Sequence, residues 1–308
     1  MDDEMRIGIA AKLSKIEWDM HRLDKTWDEV IRLYRFQKED VDKILNSHHR
    51  QKENIEHIQE CFPDAKLVNV IGIENGIEEK SSLDVLISVG GDNFFQICTH
   101  LFKDCYFVSV NSDSLRSHGA LLNFDSKSLE SYASKIIDGS FNYKCWTRVS
   151  TFLNDKYLGD SSCTVSLSIK ATDMISRYLL NYKDFSEEQK SSGLLVVSGA
   201  ASSTGSWYRN AGLYLPQLKS GFYQSPTRNF SKSAQEIRTL TREPFKGADC
   251  NYKLLNLSVK KGEELSLIYW ANNPSELSFD SVKRFEVNEG DRLSFRVSEK
   301  PLKVIIPF

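Results

Sequence analysis

Two glycines and an aspartate follow an apolar stretch of the sequence and precede a helix-like one. Residues 85–89 are apolar except for Ser88. Gly90, Gly91 and Asp92 come next, and residues 94–102 have helix-like apolar spacing. A glycine turn between a buried parallel strand and a helix lets backbone N–H groups point at an anion on the helix N-terminus. The pattern therefore predicts a phosphate site, with Asp92 at the edge where open α/β sheets bind ligands. The alternative is that Asp92 only caps the helix.

Further polar residues stand where other predicted strands end. Asn111 and Asp113 follow the apolar run at 107–110, and Asn154 with Asp155 lies between two strand-like runs. Asparagine and aspartate are ordinary turn formers. A plain turn is therefore the alternative for the first pair, and a hairpin turn is the alternative for the second.

A loop of small residues is the third feature that could serve a ligand. Residues 199–205 are Gly, Ala, Ser and Thr only, follow the apolar run at 194–197 and precede Trp207. The alternative interpretation of this loop is a flexible crossover between two elements.

Strand-like and helical segments alternate over the first 144 residues. The short β-rich runs lie at 6–10, 66–70, 85–89 and 107–110. Helical spacing at i, i+3, i+4 and i+7 relates Trp27, Val30, Ile31 and Tyr34, whose shared face should pack inward. Strand, helix and strand in this order predict a Rossmann-like parallel sheet with right-handed crossovers.

From residue 145 the pattern changes to short alternations with a period of two. Turn signals at 261–263 and 288–291 separate some of these runs, as antiparallel hairpins require. We therefore predict an α/β domain at 1–144 and a mostly antiparallel β domain at 145–301. The segment 216–250 is rich in Ser, Thr, Arg and Gln and is interpreted as a loop or a helical insertion.

The charge balance argues against several classes of partner. Lys and Arg number 40 and Asp and Glu number 42, so the net charge is -2 and no global basic field exists for nucleic acid or an anionic membrane. No stretch is apolar enough to predict a transmembrane span. The opening residues Met1-Asp2-Asp3-Glu4 resemble neither a secretory signal nor a transit peptide, so we expect a cytoplasmic protein. The six cysteines include no Cys-x-x-Cys pair, so neither a disulfide framework nor a zinc site is expected.

Six short motifs between residues 85 and 245 together resemble the NAD kinase family. Their details look most like the branch typified by the mitochondrial NAD kinase of animals, and the Gly-Gly-Asp signature is shared more widely with diacylglycerol kinases and phosphofructokinases. Six matches in one order are more specific than any single match. In chain order they are Gly90-Gly91-Asp92-Asn93, Val110-Asn111-Ser112-Asp113 with Arg116-Ser117-His118-Gly119, Leu153-Asn154-Asp155, Ser191-Ser192-Gly193, Ser202-Ser203-Thr204 with Trp207, and Arg242-Glu243-Pro244.

The resemblance implies a kinase that moves a terminal phosphoryl group from ATP or polyphosphate to the 2′-hydroxyl of the adenosine ribose of NAD, giving NADP. In such an enzyme Asp92 accepts a hydrogen bond from that hydroxyl and takes its proton, while Asn154 and Asp155 hold ribose hydroxyls. A low-pKa carboxylate is adequate because phosphoryl transfer depends more on alignment than on a strong base. Mg²⁺ on the donor phosphates is implied as well, with backbone N–H groups of Gly90 and Gly91 facing the donor.

The resemblance also carries expectations about architecture and contacts. It implies that the nucleotide binds between the two domains, that the last strand at 302–308 returns to the first domain, and that the protein is at least a homodimer. Besides the catalytic Asp92, the residues it implies for nucleotide binding are Gly90, Gly91, Asn93, Asn111, Asp113, Asn154, Asp155, Ser192, Ser203, Thr204 and Trp207.

Two departures from the family pattern motivate alternatives. Asn93 replaces the glycine that follows Gly-Gly-Asp in the family, and the loop 199–205 has an apparent one-residue insertion before Trp207. One alternative is a noncatalytic NAD- or NADP-binding regulator with the same fold. The other is a lipid or sugar kinase that shares Gly-Gly-Asp, although this leaves Asn154 and Asp155 unexplained.

Overall fold

A computed structural model describes residues 5–69, 82–171, 174–204, 206–214, 229–245 and 252–307. The chain divides into two units, of which the first comprises Met1–Tyr143 with Lys303–Phe308 and the second comprises Lys144–Leu302. We describe each unit by itself.

The bounds of the elements are as follows. The helices are α1 Lys15–Leu23, α2 Trp27–Phe36, α3 Val41–Cys61, α4 Asp92–Leu101, α5 Ser126–Glu130, α6 Ala133–Ile137, a 3₁₀ turn at Gly199–Ser202 and α7 Trp207–Tyr214. The strands are β1 Ile7–Ala11, β2 Lys66–Val68, β3 Val85–Gly90, β4 Tyr106–Asn111, β5 Tyr143–Trp146, β6 Val149–Leu153, β7 Lys156–Ser161, β8 Thr164–Ile169, β9 Ser176–Tyr182, β10 Phe185–Ser191, β11 Gly193–Val197, β12 Glu236–Arg242, β13 Ser258–Lys260, β14 Glu264–Tyr269, β15 Ser275–Phe279, β16 Lys283–Val287, β17 Arg292–Val297 and β18 Leu302–Ile305.

A parallel sheet forms the centre of the first unit. Its strand order is β2-β1-β3-β4-β18-β5, and the pairs β1–β2, β1–β3, β3–β4 and β4–β18 are parallel. All six residues of β3 are buried, as expected of a strand covered on both faces. After β1 the chain continues to β2 on one side of the sheet, and after β3 it continues to β4 on the other side. The direction of the connections therefore reverses between the neighbouring strands β1 and β3. Open α/β sheets bind ligands beyond the carboxyl ends of the strands at such a point.

The helices before β2 begin at residues with clear capping signals. Ser14 with Glu17 and Thr26 with Glu29 form capping boxes at the starts of α1 and α2, and the Asp40 side chain accepts the N–H of Lys43 at the start of α3. The three helices enclose a small hydrophobic cluster of Ile16, Val30, Ile31, Tyr34 and Ile44, with Trp27 packed against it. The inward face predicted for α2 is therefore present.

Antiparallel sheets make up the second unit. Within the described residues their strand orders are β10-β9-β14-β17-β6-β7 and β13-β12-β11-β8-β15-β16. Both sheets contribute alternate apolar residues to one hydrophobic cluster, for example Leu167 and Val196 from one sheet and Leu267 and Phe295 from the other. A parallel sheet in one unit and antiparallel sheets in the other confirm the predicted α/β plus β fold class.

The segment 216–250 departs from the sequence prediction in its described part. Residues 236–242 are strand β12, antiparallel to β11 and β13, so the interpretation as a loop or helical insertion is wrong there. The polar composition of the segment obscures the alternation of the β-branched residues Ile237, Thr239 and Thr241, which is typical of a strand. Most residues of this strand are buried. Burial opposes the charge of Glu236 at the start of β12, yet hydrogen bonds from Lys260, Ser258 and Arg238 outweigh it and lower the pKa of that carboxyl to about 2. Residues 216–228 and 246–250 of the segment lie outside the described residues.

The cysteines differ in exposure. Cys98 and Cys105 are buried in the first unit, and burial raises the pKa of each thiol to about 12. Cys145 is exposed. Among the helices in the described ranges, none combines the length and the hydropathy needed to cross a lipid bilayer.

Candidate functional site

The turn between β3 and α4 uses its two glycines for different reasons. A Cβ on Gly90 would lie 2.7 Å from a ring carbon of Phe94, so the close packing of α4 on β3 requires a residue without a side chain. A Cβ on Gly91 would meet no atom of the described residues within 4 Å. Gly91 is the N-cap of α4, with φ −108° and ψ 179°. The backbone at the start of this ten-residue helix is therefore accessible to a ligand.

Asp92 is the first residue of α4 and is half-buried. Its carboxylate does not cap the helix, so the capping alternative is wrong. Instead, one oxygen accepts the backbone N–H of Ala120 at 3.1 Å and the other accepts that of Leu121 at 2.9 Å. A carboxylate can accept about four hydrogen bonds, so acceptor capacity remains for a hydroxyl. Asn93, the next residue, is exposed.

The side chains predicted at the end of β4 are occupied by protein partners. Asn111 accepts the N–H of Asp113 at 3.0 Å and donates to the carbonyl of Ser117 at 2.7 Å. The side chain of Asp113 is 7% exposed and accepts hydrogen bonds from Ser47 at 2.6 Å and from the Arg50 guanidinium at 3.1 Å. Burial opposes the charge of Asp113, but these two donors hold its pKa below the usual range. The predicted contacts of Asn111 and Asp113 with NAD stay predictions.

A polar face of α3 contributes residues that the sequence analysis missed. Ser47, Arg50 and Asn54 are spaced at i, i+3 and i+7, which places them on one side of a helix. Asn54 donates to the carbonyl of Ser112 at 3.1 Å, beside the bonds from Ser47 and Arg50 to Asp113. The spacing was the available signal, but the surrounding charged residues and histidines made the helix look like a solvated one.

In the second unit, Asn154 and Asp155 form the two-residue turn between β6 and β7. Both have positive φ, 49° and 62°, as the tightest hairpin turns require. Asn154 donates to the carboxylate of Asp291 at 2.7 Å and accepts the N–H of Arg292 at 2.9 Å. The Asp155 side chain is 83% exposed. The hairpin turn alone accounts for both residues, and their contact with ribose hydroxyls stays a prediction.

Buried carboxylates nearby hold strand β7 and the segment that follows it. Asp160, with a side chain 5% exposed, accepts from Arg148 at 2.8 Å and from Ser150 at 2.5 Å. The buried Asp280 accepts backbone N–H bonds from Ser162, Cys163 and Thr164 at 2.6–3.1 Å. The sequence predicts a role for neither residue. Asp160 acquires its partners only when β7 pairs with β6, and Asp280 lies more than 100 residues from its partners along the chain.

The small-residue loop begins with a 3₁₀ turn. Ser198 caps it by accepting the N–H of Ala200, and a Cβ on Gly199 would lie 2.0 Å from the carbonyl oxygen of Ser231. The hydroxyls of Ser203 and Thr204 donate to carbonyls of the same turn at 3.0 and 3.3 Å. The turn is therefore fixed by its own polar groups, and the flexible-crossover alternative is wrong for the described residues 199–204.

Two predicted binding residues of the second unit meet at Arg242. The side chain of Trp207, 63% exposed, has the Arg242 guanidinium 4.3 Å from its ring centre, and the N–H of Ser192 donates to the Arg242 carbonyl at 3.0 Å. Arg242 donates to Ser168 at 3.1 Å, and its Nε is buried without a hydrogen-bond partner in the described part of the chain. In the sequence this arginine is distinguished only by the motif Arg242-Glu243-Pro244.

No protein-family profile matches the chain. A curated rice protein (Oryza sativa subsp. japonica) named "Probable NADH kinase" is 26% identical over 249 residues, which is 73% of this chain and 71% of that protein. This similarity agrees with the predicted resemblance to the NAD kinase family. The mitochondrial-type branch within the family stays a prediction.

Solved structures of the NAD kinase family share this fold. An NAD kinase from Archaeoglobus fulgidus in complex with ATP matches with a TM-score of 0.60 and 16% identity, over 82% of this chain and 88% of that one. The yeast NADH kinase complexed with NADH matches with a TM-score of 0.63 and 12% identity, over 100% of this chain and 85% of that one.

Proposed function

We propose that the protein phosphorylates NAD or NADH at the 2′-hydroxyl of the adenosine ribose, with ATP as the donor. The observation that carries the proposal is the Asp92 carboxylate, which lies at the carboxyl edge of a parallel sheet and is oriented by two backbone N–H groups. Beside it, the backbone at Gly91 is open. The sequence similarity to a rice protein named as a probable NADH kinase supports the same reaction.

In the proposed reaction, Asp92 accepts a hydrogen bond from the ribose hydroxyl and takes its proton as the phosphoryl group transfers. The N–H groups of Ala120 and Leu121 each bond to one oxygen of this carboxylate and so restrict its rotation. Phosphoryl transfer passes through a loose transition state, so this alignment contributes more than basicity does. The first turn of α4 provides N–H groups and a positive dipole end for donor phosphates, and Gly91 leaves room for their approach.

Mg²⁺ is proposed to bind with the donor and to neutralise phosphate charge. Among the described residues, no group of three or more His, Cys, Asp and Glu side chains could hold a metal ion. This fits Mg²⁺, which keeps several waters and binds chiefly through substrate phosphates with one or two carboxylates. Asp92 is the carboxylate of the site that could contribute a ligand.

Contacts with the dinucleotide are proposed for the second unit. The exposed ring of Trp207 offers one face for a planar base, and the Arg242 guanidinium lies over the same ring, 4.3 Å from its centre. Ser192 lies next to Arg242, and Ser203 and Thr204 lie in the turn that precedes Trp207. A homodimer and a cytoplasmic location stay predictions.

Donor and acceptor choice are open to direct assay. The archaeal neighbour is described with ATP, and the rice and yeast relatives are named for NADH. The purified protein should therefore be given NAD and NADH in turn, with ATP or polyphosphate and Mg²⁺, while NADP and NADPH are measured.

The decisive variant is Asp92→Asn, with Asp104→Asn as its matched control. Asp104 lies exposed beyond the other end of α4 with φ 63°, a conformation that asparagine tolerates. We expect Asp92→Asn to lower kcat about 100-fold or more, because general-base contributions have that size. The control should leave kcat unchanged. No product with either donor, or full activity of Asp92→Asn, would contradict the proposal.

A second candidate function is a noncatalytic NAD- or NADP-binding regulator. It is favoured by two observations: both Asp92 oxygens already bond to the loop at 120–121, and Asn93 presents a side chain beside the open backbone of Gly91. A rise in melting temperature with NAD or NADP but no turnover would favour this candidate. Measurable turnover would exclude it.

A further inference from the structure

The polar face of α3 is fastened to the chain that follows β4. Ser47 and Arg50 bond to the Asp113 carboxylate, and Asn54 bonds to the carbonyl of Ser112. The three side chains together hold two consecutive residues of the segment 112–122, which we call the Asp92 support loop.

The attachment at Asp113 pairs a buried carboxylate with a partly buried guanidinium. Its carboxylate accepts two bonds from the Arg50 guanidinium, both at 3.1 Å, and one from Ser47 at 2.6 Å. The Asp113 side chain is 7% exposed and that of Arg50 is 33% exposed. Removing one member of such a pair leaves the other charge without compensation, so the attachment is sensitive to single substitutions.

From Asp113 the support loop is stiffened by bonds of its own. The carbonyl of Asp113 accepts the N–H groups of Arg116 and Ser117 at 3.1 and 3.0 Å, and the Asn111 amide donates to the Ser117 carbonyl at 2.7 Å. Gly119 then turns the chain with φ 56°. The displacement of Asp113 would therefore be passed along the loop rather than absorbed by it.

The far end of the support loop orients the carboxylate proposed for catalysis. Ala120 and Leu121 donate their N–H groups to the two oxygens of Asp92. The carbonyl of Leu121 is held in turn by the Ser109 hydroxyl of β4 at 2.9 Å. The N–H groups that fix Asp92 thus depend on a loop held at α3 and at β4.

We propose that Arg50 and Asp113 are positioning residues, which hold the support loop so that Ala120 and Leu121 fix the Asp92 carboxylate for phosphoryl transfer. The role rests on the proposed function. It differs from the direct NAD contact predicted for Asp113 from sequence, because the Asp113 carboxylate bonds to side chains of α3.

The kinetic test compares Arg50→Gln, Asp113→Asn and the double variant with the wild type. A shift of about 1 Å in a catalytic group can cost on the order of 100-fold, so we expect kcat to fall about 10- to 100-fold. KM for NAD should change less than about twofold, because Asp113 does not touch NAD in this account. The double variant should lose no more than the worse single variant, since the pair acts as a unit. Arg50→Lys should give an intermediate kcat, because lysine keeps the charge but not the two-pronged geometry.

Hydrogen exchange supplies a readout that does not require activity. Arg50→Gln should speed exchange of the amides in the support loop while those of β3, at 85–90, keep the wild-type rate. Ser47→Ala is the milder variant and should shift the same amides by less. Lys43→Gln is the matched control, because Lys43 is an exposed cation on the same helix. It should change neither exchange nor kcat.

The results separate this inference from the proposed function. A raised KM for NAD with kcat retained would overturn it in favour of direct binding by Asp113. Unchanged exchange in the support loop would overturn it whether or not the protein makes NADP. A wild-type protein that made no NADP would contradict the proposed function and the catalytic part of this role. Faster exchange in Arg50→Gln would then still show that the pair holds the loop.

Discussion

Alanine at Gly91 and alanine at Gly90 should have opposite effects, and the contrast tests the phosphate site. At Gly91 the added Cβ meets no described atom within 4 Å, and φ −108° with ψ 179° is extended backbone that alanine adopts. The folded state therefore loses nothing, while the unfolded chain loses freedom, so Gly91→Ala should stabilise the protein by about 0.4–1 kcal/mol. The methyl group would nevertheless occupy the space over the helix N-terminus that donor phosphates need.

At Gly90 the steric situation is reversed. The added Cβ would lie 2.7 Å from Phe94 Cδ1 and 2.9 Å from Phe94 Cβ, and Phe94 is 1% exposed, so the ring has no room to move away. Overpacking of this kind costs about 1–3 kcal/mol. Gly90→Ala should therefore lower the free energy of unfolding, whatever the ligand.

The assay pairs urea unfolding with steady-state kinetics at varied ATP. We expect Gly91→Ala to unfold at the same or higher urea concentration than the wild type, yet to lose about 10- to 100-fold in kcat/KM for ATP, which corresponds to about 1.4–2.7 kcal/mol. Gly90→Ala should unfold at lower urea concentration. If Gly91→Ala kept full kcat/KM for ATP, the donor phosphates would not approach this turn and the reasoning would be refuted.

Three further predictions concern other parts of the chain. Trp207→Ala should raise KM for the dinucleotide about 5- to 10-fold, because stacking on an aromatic side chain is worth about 1–3 kcal/mol. The melting temperature should change little, since the ring is mostly exposed. An unchanged KM in steady-state assays would count against a base-stacking role. The folded-state pKa of Glu236, about 2, lies below its ordinary value. The stabilising contribution of this carboxylate is therefore complete above about pH 4.5 and is lost as pH falls toward 2. Acid unfolding of Glu236→Gln should show a smaller loss of stability over that range than the wild type, and an identical loss would contradict the prediction. Iodoacetamide should label Cys145 before Cys98 and Cys105, which should stay unlabelled in the folded protein when the products are analysed by mass spectrometry. The reason is that Cys98 and Cys105 are buried and have pKa values of about 12. Equal labelling of the three would show that the first unit opens readily.

Local patterns in the sequence were sufficient for the fold class and for the glycine turn. The run at 85–89 followed by Gly90 and Gly91 predicted a buried strand, a tight turn and a helix, because glycine and apolar spacing act over a few residues. The two-residue turn at Asn154 was visible for the same reason, as one of two alternatives.

Partners far apart in the chain could not be predicted. Arg50 and Asp113 are 63 residues apart, and Asp92 accepts from an N–H group 29 residues away. Such bonds exist only once the sheet order brings α3, β3 and β4 together. The ion pair between Arg50 and Asp113 therefore had no sign in the sequence. The strand at 236–242 was not predicted for a related reason, since its polar residues become buried only when neighbouring strands pair with it.

The position of the transferred phosphate tests the central claim most directly. The protein should be incubated with ATP labelled at the terminal phosphate, Mg²⁺ and either NAD or NADH, and the labelled product analysed by mass spectrometry and phosphorus NMR. We predict label on the 2′-oxygen of the adenosine ribose with the wild type and at least about 100-fold slower labelling with Asp92→Asn. Label elsewhere on the dinucleotide, or labelling by Asp92→Asn at the wild-type rate, would contradict the account.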